Sequence, residues 1–389
     1  MNVLGLFNGM GGGNIALTEL GIKHNYFSSE VDKFANKQVA HNFPDTVHLG
    51  SVLDVSGYDL PRMDLILAGS PCQGFSFAGK RKGAATKCEI EITTFEQYIE
   101  LKTAGFEFEG QSYLFWEFIR ILNECRTKNP DVIFLLENVE MGKKWEGVLS
   151  RAVGCLPVHI NSNRVSAQNR QRVYWSNIRL APYGMFSDFI TDIPQPRDRK
   201  IFLKDILETD VPEKYFLSEK MIKGFVSHAE KHKAKGNGFT FEPFENFFQK
   251  SKCLTTNEGS RGYNNFIKIS KDGTPKPDQT KASCFTAGGN SGGNHSDMDL
   301  IWQLGHGFND GGLKALDGKV PTLTKNSWEQ NNFLIQNYRI RRLTPTEAAK
   351  LQTVPAWYRW IVSDTQIYKM CGNGWTIEVI KHILSFIKL

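Results

Sequence analysis

The stretch VLGLFNGMGGGNIALTELG, residues 3–21, passes from an apolar run through a glycine turn into a helical pattern. Val3-Leu4-Gly5-Leu6-Phe7 reads as a short buried strand and Gly9-Met10-Gly11-Gly12-Gly13 as the turn after it. Asn14-Ile15-Ala16-Leu17-Thr18-Glu19-Leu20 then reads as a helix that Gly21 ends. A glycine-rich turn lets backbone approach a ligand closely and aims the first N–H groups of the helix at it. Taken alone, the turn fits a nucleotide-type cofactor and a plain tight turn equally well.

The same alternation continues outward. Tyr26-Phe27-Ser28-Ser29-Glu30 is a second strand with a carboxylate at its carboxyl end, where it suits the hydroxyls of a ribose. Both a nicotinamide cofactor and S-adenosylmethionine satisfy that pattern. Asp64-Leu65-Ile66-Leu67-Ala68 and Val132-Ile133-Phe134-Leu135-Leu136 are further apolar runs, with helical patterns between them such as Tyr113–Leu122. Such alternation predicts an α/β fold, a doubly wound, Rossmann-like parallel sheet. Ligands of these sheets sit beyond the carboxyl ends of the strands. Glu30, Cys72 and Glu137 each follow one of the runs, so one rim is expected to carry all three.

Composition limits the alternatives. The chain has 389 residues, 40% hydrophobic and 23% charged, with a formal net charge of +6. That suits a two-domain globular protein and permits a polyanionic partner without requiring one. No run approaches the ~20 apolar residues of a membrane span, and the apolar start lacks the basic leader of a signal peptide. The seven cysteines (72, 88, 125, 155, 253, 284, 371) form no CxxC pair. Disulfide frameworks and zinc clusters are therefore not expected, and a reducing cytoplasm is.

The motifs, in their order, resemble those of the cytosine-5 DNA methyltransferases. Phe7-Asn8-Gly9-Met10-Gly11-Gly12 is similar to that family's cofactor turn and Pro71-Cys72-Gln73-Gly74-Phe75-Ser76 to its nucleophile loop. Glu137-Asn138-Val139 matches its ENV motif and Gln168-Asn169-Arg170-Gln171-Arg172 its QxRxR motif. Arg341–Glu347 and Gly372-Asn373-Gly374 match the last two blocks. The resemblance implies S-adenosylmethionine as cofactor, bound around Phe7, Gly9, Gly11, Glu30, Val31, Ser51, Val52, Leu114 and Asn373. It implies double-stranded DNA as partner and Cys72, Glu137, Arg170 and Arg172 as the catalytic set. A monomer without metal or membrane attachment is expected.

The residue types suit that chemistry. C5 of cytosine is a poor nucleophile until a thiolate adds at C6, which needs a cysteine at a rim rather than in a core. An acid must then meet N3 as charge builds in the ring, which Glu137 can do while accepting from the exocyclic amine. By the resemblance, Arg172 holds O2 and Arg170 orients the network around it. A base inside a duplex cannot meet Cys72, so flipping is implied. Residues 73–110 are expected to close over it. Lys80, Arg81, Lys82 and Lys87 read as flexible and solvent-facing, though a loop closing over DNA phosphates would want such charges. Roughly 84–110 looks like an insertion without an assignable role.

The blocks leave 185–335 unmatched, and the resemblance makes this a mainly β target-recognition domain inserted between catalytic parts 1–184 and 336–389. Pro194-Gln195-Pro196-Arg197 reads as a linker into it. Acids and bases nearly balance there, so the basic surplus lies in the catalytic parts. Three similar strings, 253–267, 284–301 and 322–335, predict three related hairpins. Their loops would bring Arg261, Asn290, Asn294 and Asn326 to base edges. One departure concerns the cofactor. Many members of the family carry Asp where this chain has Gly5 and a Gly-Asp pair where it has Gly50-Ser51, so weaker binding is expected unless Asp54 takes over. Three rivals stand beside this reading. One is a tRNA methyltransferase, whose signature Cys284-Phe285-Thr286 partly matches. The others are a nicotinamide-dependent dehydrogenase, silent on the later motifs, and a binding module without catalysis.

Overall fold

Period-two alternation within the strands sends successive side chains to opposite faces and builds a core on each side of one sheet. Leu4, Leu6, Ile66, Ala68, Phe134 and Leu136 enter one cluster, with Phe115, Trp116, Phe118 and Trp145. Val3, Leu65, Leu67 and Leu135 enter the other, with Ile15, Leu17, Ile377, Ile380 and Ile383. Each such side chain contributes roughly 1.5–3 kcal/mol on burial, so the sheet is fixed from both faces. The computed structural model describes residues 1–71, 74–75, 84–185, 188–234, 241–256, 265–270, 300–303, 312–314, 333–335 and 338–388.

The sheet comprises β1 (Asn2–Leu6), β2 (Asn25–Ser29), β3 (Val47–Gly50), β4 (Leu65–Gly69), β7 (Ile133–Val139), β8 (Val158–Asn161) and β9 (Gln171–Ser176). Its order is β3-β2-β1-β4-β7-β9-β8. The first five strands are parallel, as expected of a doubly wound sheet. The β8–β9 end is antiparallel, since the short link from Asn161 to Gln171 cannot make the crossover that parallel neighbours need. Helices α1 (Gly12–Glu19), α2 (Lys33–Asn42), α4 (Leu114–Lys128) and α5 (Lys143–Val153) connect the strands.

The described chain divides into two units, the first comprising Met1–Ile206, Lys250–Gly262 and Pro345–Leu389, the second Leu207–Gln249 and Tyr263–Thr344. In the first, β10 (Leu180–Tyr183) and β11 (Asp188–Thr191) form a hairpin. Pro194–Arg197, expected as a linker, is held within this unit through Pro194 and Pro196 carbonyls that accept from His382 and Arg164. In the second, helix α6 (Glu219–Ala234) brings Phe225 against Phe241 and Phe266.

The expected first hairpin does not form. Cys253–Thr256 adopts no strand and belongs to the first unit. Strand β12 (Phe266–Ser270) pairs instead with β16 (Tyr338–Arg342). Both strings are short and β-prone, and their local pattern carries no information about the partner. Strand β13 (Leu300–Gln303) pairs with β14 (Gly312–Lys314) and β15 (Phe333–Ile335). The first halves of the other two hairpins lie outside the described residues, as do Arg261, Asn290, Asn294 and Asn326.

Residues 84–110, expected as part of a closing loop, instead fold on the first unit. Strands β5 (Ala85–Thr86) and β6 (Phe108–Glu109) pair, and α3 (Phe95–Thr103) lies between them in sequence. Ile92 and Tyr98 are buried. The segment is fastened to α4 through the fully buried Glu117, which accepts from the Tyr98 hydroxyl, from Lys102 Nζ at 2.5 Å and from Arg120 Nε at 2.7 Å. Burial alone would raise the Glu117 pKa, but the Lys102 and Tyr98 hydrogen bonds and the Arg120 charge outweigh it and hold it below the ordinary value. A lowered carboxyl pKa supplies stability above the unfolded pKa and loses it as pH falls through the folded one. Glu117→Ala should therefore cost about 3–5 kcal/mol in urea unfolding at neutral pH, the range for breaking a buried ion pair. The deficit should narrow below pH of about 4.3. A deficit that stays constant with pH would assign the effect to packing.

Candidate functional site

The rim is set by strand register. Leu6 pairs with Ser29 and Ala68, while Gly69 pairs with Glu137, so the ends of β1, β2 and β4 lie level with Glu137, which β7 passes by two residues. Beyond β1 the chain turns sharply, with Phe7, Gly9 and Gly11 all at positive φ (56°, 53° and 81°). For Phe7 that conformation costs roughly 1–2 kcal/mol, an outlier placed at the expected cofactor turn. Glu30 clasps this turn, its carboxylate accepting from the N–H of Gly9 at 2.8 Å, Val31 at 2.8 Å and Asp32 at 2.9 Å. The Tyr358 hydroxyl donates to the Met10 carbonyl from the other side.

The remaining cofactor candidates divide by environment. Phe7, Val52 and Leu114 share the apolar cluster on the α4 face. Val31 is 72% exposed, a bare apolar surface beside the Glu30 carboxylate. Ser51 follows Gly50, whose φ is +77°, and its hydroxyl accepts from the Leu53 N–H at 3.2 Å. Asp54 is exposed. Gly5 is explained by its neighbours. A Cβ there would lie 2.4 Å from the Tyr26 hydroxyl oxygen and 2.8 Å from Asn8 Oδ1, so Tyr26, donating to Asn8, fills the place of a side chain.

Cys72 and Gln73 lie outside the described residues, but both flanks are held. Asn138 Nδ2 donates to Ser70 Oγ at 3.0 Å, and Ser112 Oγ accepts from the Gly74 N–H at 2.8 Å. Phe75 packs on Trp145. Glu137, on β7, is 8% exposed. Its Oε1 lies 3.0 Å from Arg172 Nε, and its Oε2 accepts from Trp375 Nε1 at 3.1 Å. In the antiparallel β7–β9 ladder Arg172 faces Val139, two places from Glu137, and therefore shares its side of the sheet.

Arg170 acts differently. Fully buried, it donates to the carbonyls of Leu254, Gly372 and Gly374 at 3.3, 3.1 and 2.9 Å, and to Cys253 Sγ. Burial and then the neighbouring Arg172 charge push its pKa down. It thus ties Cys253–Leu254 to the end of the helix Asp364–Asn373, whose last residue, Asn373, is exposed. Sequence reading missed Ser112, Cys253 and Trp375 as members of the site. Trp375 alone carried a signal, standing directly after Gly372-Asn373-Gly374. Among the described residues no group of His, Cys, Asp or Glu could hold a metal ion, and no helix is long and apolar enough to cross a membrane. The Cys284-Phe285-Thr286 string lies outside the described residues.

Residues 1–146 and 162–389 match the C-5 cytosine-specific DNA methylases. The type II methyltransferase M1.ScrFI of Lactococcus lactis subsp. cremoris is 27% identical across 98% of this chain and 76% of its own. M.HpaII of Haemophilus parainfluenzae is 28% identical across 97% and 86%. The orphan methyltransferase M.SPRI of Bacillus phage SPR is 26% identical across 99% and 97%. Among solved structures, the Entamoeba histolytica methyltransferase EhMeth superposes with a TM-score of 0.59 at 13% identity, covering 100% of this chain and 97% of that one. The S. pombe Dnmt2 methyltransferase gives 0.58 at 16%, covering 100% and 98%. At such identities these two structures speak to the fold alone.

Arg170→Lys offers a test of the staple. A lysine keeps the charge but cannot serve acceptors on two sides, so unfolding should be easier by at least about 2 kcal/mol, one charge-assisted hydrogen bond. Equal stability in urea would mean that the carbonyls find other donors.

Proposed function

The chain belongs to the C-5 cytosine-specific DNA methylases and methylates cytosine in DNA at C5; we propose that Cys72 is its nucleophile, Glu137 its acid and S-adenosylmethionine its methyl donor. The carrying observation is the Glu137 carboxylate, buried at the rim, paired with Arg172 at 3.0 Å and in register with Gly69, three residues before Cys72. A buried acid at a strand's carboxyl end, paired with arginine, is placed for work on a base rather than for stability.

The residues present fit the cofactor. With about four lone-pair sites and three given to Gly9, Val31 and Asp32, Glu30 keeps about one, on Oε2, for a ribose hydroxyl. Exposed Val31 offers a face to the adenine, and Phe7, Ser51, Val52, Leu114 and the exposed Asn373 are the further residues that would line the site. When bound, the cofactor supplies an electrophilic methyl group. Cys72 adds as thiolate to C6 of a flipped cytosine, making C5 a nucleophile. Glu137 accepts from the exocyclic amine and meets N3 as negative charge builds, and Arg172 holds O2. Once C5 carries the methyl group, a base such as solvent water takes the C5 proton, the C5=C6 double bond re-forms and the C6–S bond breaks, returning Cys72 as thiolate. Arg170 sets the position of Arg172's surroundings without reaching the base.

The other described cysteines suit this less well. Burial pushes Cys125 up to about 11 and Cys371 up to about 12, and raises Cys155, which leaves them inert. Cys88 is exposed but lies on the folded insertion, and Cys253 leans on Arg170. Of the stretch 185–335, the parts in the second unit, within Leu207–Gln249 and Tyr263–Thr344, take the recognition role, and the basic surplus of the catalytic parts supplies phosphate attraction.

Duplex DNA with 5-fluorocytosine at target sites should trap the enzyme as a stable adduct, since fluorine at C5 blocks the elimination. Cys72→Ala should abolish the adduct on denaturing gels, whereas Cys88→Ala and Cys253→Ala should retain it. An adduct persisting in Cys72→Ala would end the assignment. For the cofactor, Ser51→Asp should tighten binding several-fold in calorimetry by adding charge to an acceptor that now caps its own turn. No change in Ser51→Asp, with loss in Asp54→Ala, would move that role to Asp54.

A further inference from the structure

Trp375 touches the Glu137 carboxylate directly, yet this chemistry gives it no task. Its indole bridges three elements. The N–H donates to Glu137 Oε2 at 3.1 Å. One edge lies over Gly69, where a Cβ would come within 2.9 Å of Nε1 and 3.3 Å of Cε2 and Cζ2. The other approaches Gly12 at the start of α1, where a Cβ would meet Cε3 at 3.5 Å. Gly69 is also the register partner of Glu137. The bare position on β4 thus opens the path by which the indole reaches the carboxylate on β7.

We propose that Trp375 is a positioning residue for Glu137, and this rests on the catalytic reading of Glu137 above. An ionised carboxylate offers about four lone-pair sites. Arg172 Nε takes one on Oε1 and Trp375 Nε1 one on Oε2, which leaves one on each oxygen for the cytosine edge. Without the indole donor, the carboxylate loses its hold on Oε2 and can rotate toward a two-pronged pairing with Arg172 Nε and Nη2, the geometry such pairs favour. There Nη2 would exchange its long contact with Cys253 Sγ at 3.9 Å for the second oxygen. Both oxygens would then turn from the base. The indole N–H therefore keeps the acid divided between two holders and available to a third partner. It also makes the carboxylate's orientation depend on the cofactor turn, since the same ring rests against Gly12.

Trp375→Phe keeps the ring and removes the donor. Methyl transfer and cofactor-free release of tritium from [5-3H]cytosine DNA should both slow at saturating substrate by about tenfold or more, the worth of one hydrogen bond to a charged group. KM for DNA and the calorimetric Kd for S-adenosylmethionine should stay within about twofold, the pattern of an interaction needed only for the chemical step. In 15N-labelled protein, the indole N–H resonance that Trp375→Phe deletes should move in Glu137→Gln. A merely structural ring would leave Trp375→Phe fully active, and that result would overturn the proposal. So would a defect confined to cofactor Kd, or an indole resonance indifferent to Glu137→Gln. Gly69→Ala, which crowds the indole from the β4 side, should share the turnover defect, and full activity there would also overturn it. Glu137→Gln at wild-type turnover would bring down the catalytic reading itself, whatever Trp375→Phe does.

Discussion

The parallel pairing of β4 with β7, in the register Gly69 with Glu137, governs the arrangement of the site. It brings Glu137 level with the end of the strand that leads to Cys72, from strands that begin at Leu65 and Ile133, which no local preference could do. The register is held from both faces. Ile66 and Ala68 pack with Phe134 and Leu136 on one side, Leu65 and Leu67 with Leu135 on the other. A slip of one residue would exchange those faces and place every one of these side chains wrongly. The catalytic geometry therefore inherits the stability of the core.

Three buried or nearly buried ions stand near that register, and each is handled differently. Glu117 is surrounded by donors and fastens the insertion to α4. Arg170 is surrounded by carbonyls and fastens the two chain segments that meet beneath Asn373. Glu137 is served by two donors and keeps acceptor capacity in reserve. Full satisfaction suits a fastening, because an unmet buried charge is costly. Partial satisfaction suits an acid that must take up another partner.

The alternation of strands and helices and the shared rim were legible in the sequence because apolar runs and glycine turns are local signals. The β1 turn, Glu30, Glu137 and Arg172 lie where their motifs suggested. Partners distant in sequence were not legible. Nothing in Cys253-Leu254-Thr255-Thr256 says that it packs beside Arg170 rather than opening a hairpin, and nothing in Tyr98 or Lys102 says that they meet Glu117. The antiparallel pairing of β9 was likewise hidden, since its residues read as a strand without direction. The insertion was mistaken for loop because its short strands fall below the length at which alternation can be read.

The Tyr26 hydroxyl, lodged against Gly5 and Asn8, makes positions 5 and 26 dependent on each other. A Cβ on Gly13 would also lie 2.7 Å from that hydroxyl, so the phenol and the two glycines form one interlocking set. An acidic side chain cannot enter position 5 while the phenol stays, and removing the phenol first leaves a hole between two glycines. A side chain at position 5 is therefore accommodated only if the phenol moves, and the two positions have to be changed together. With position 5 filled in this way, the cofactor would be read by the other residues of the rim.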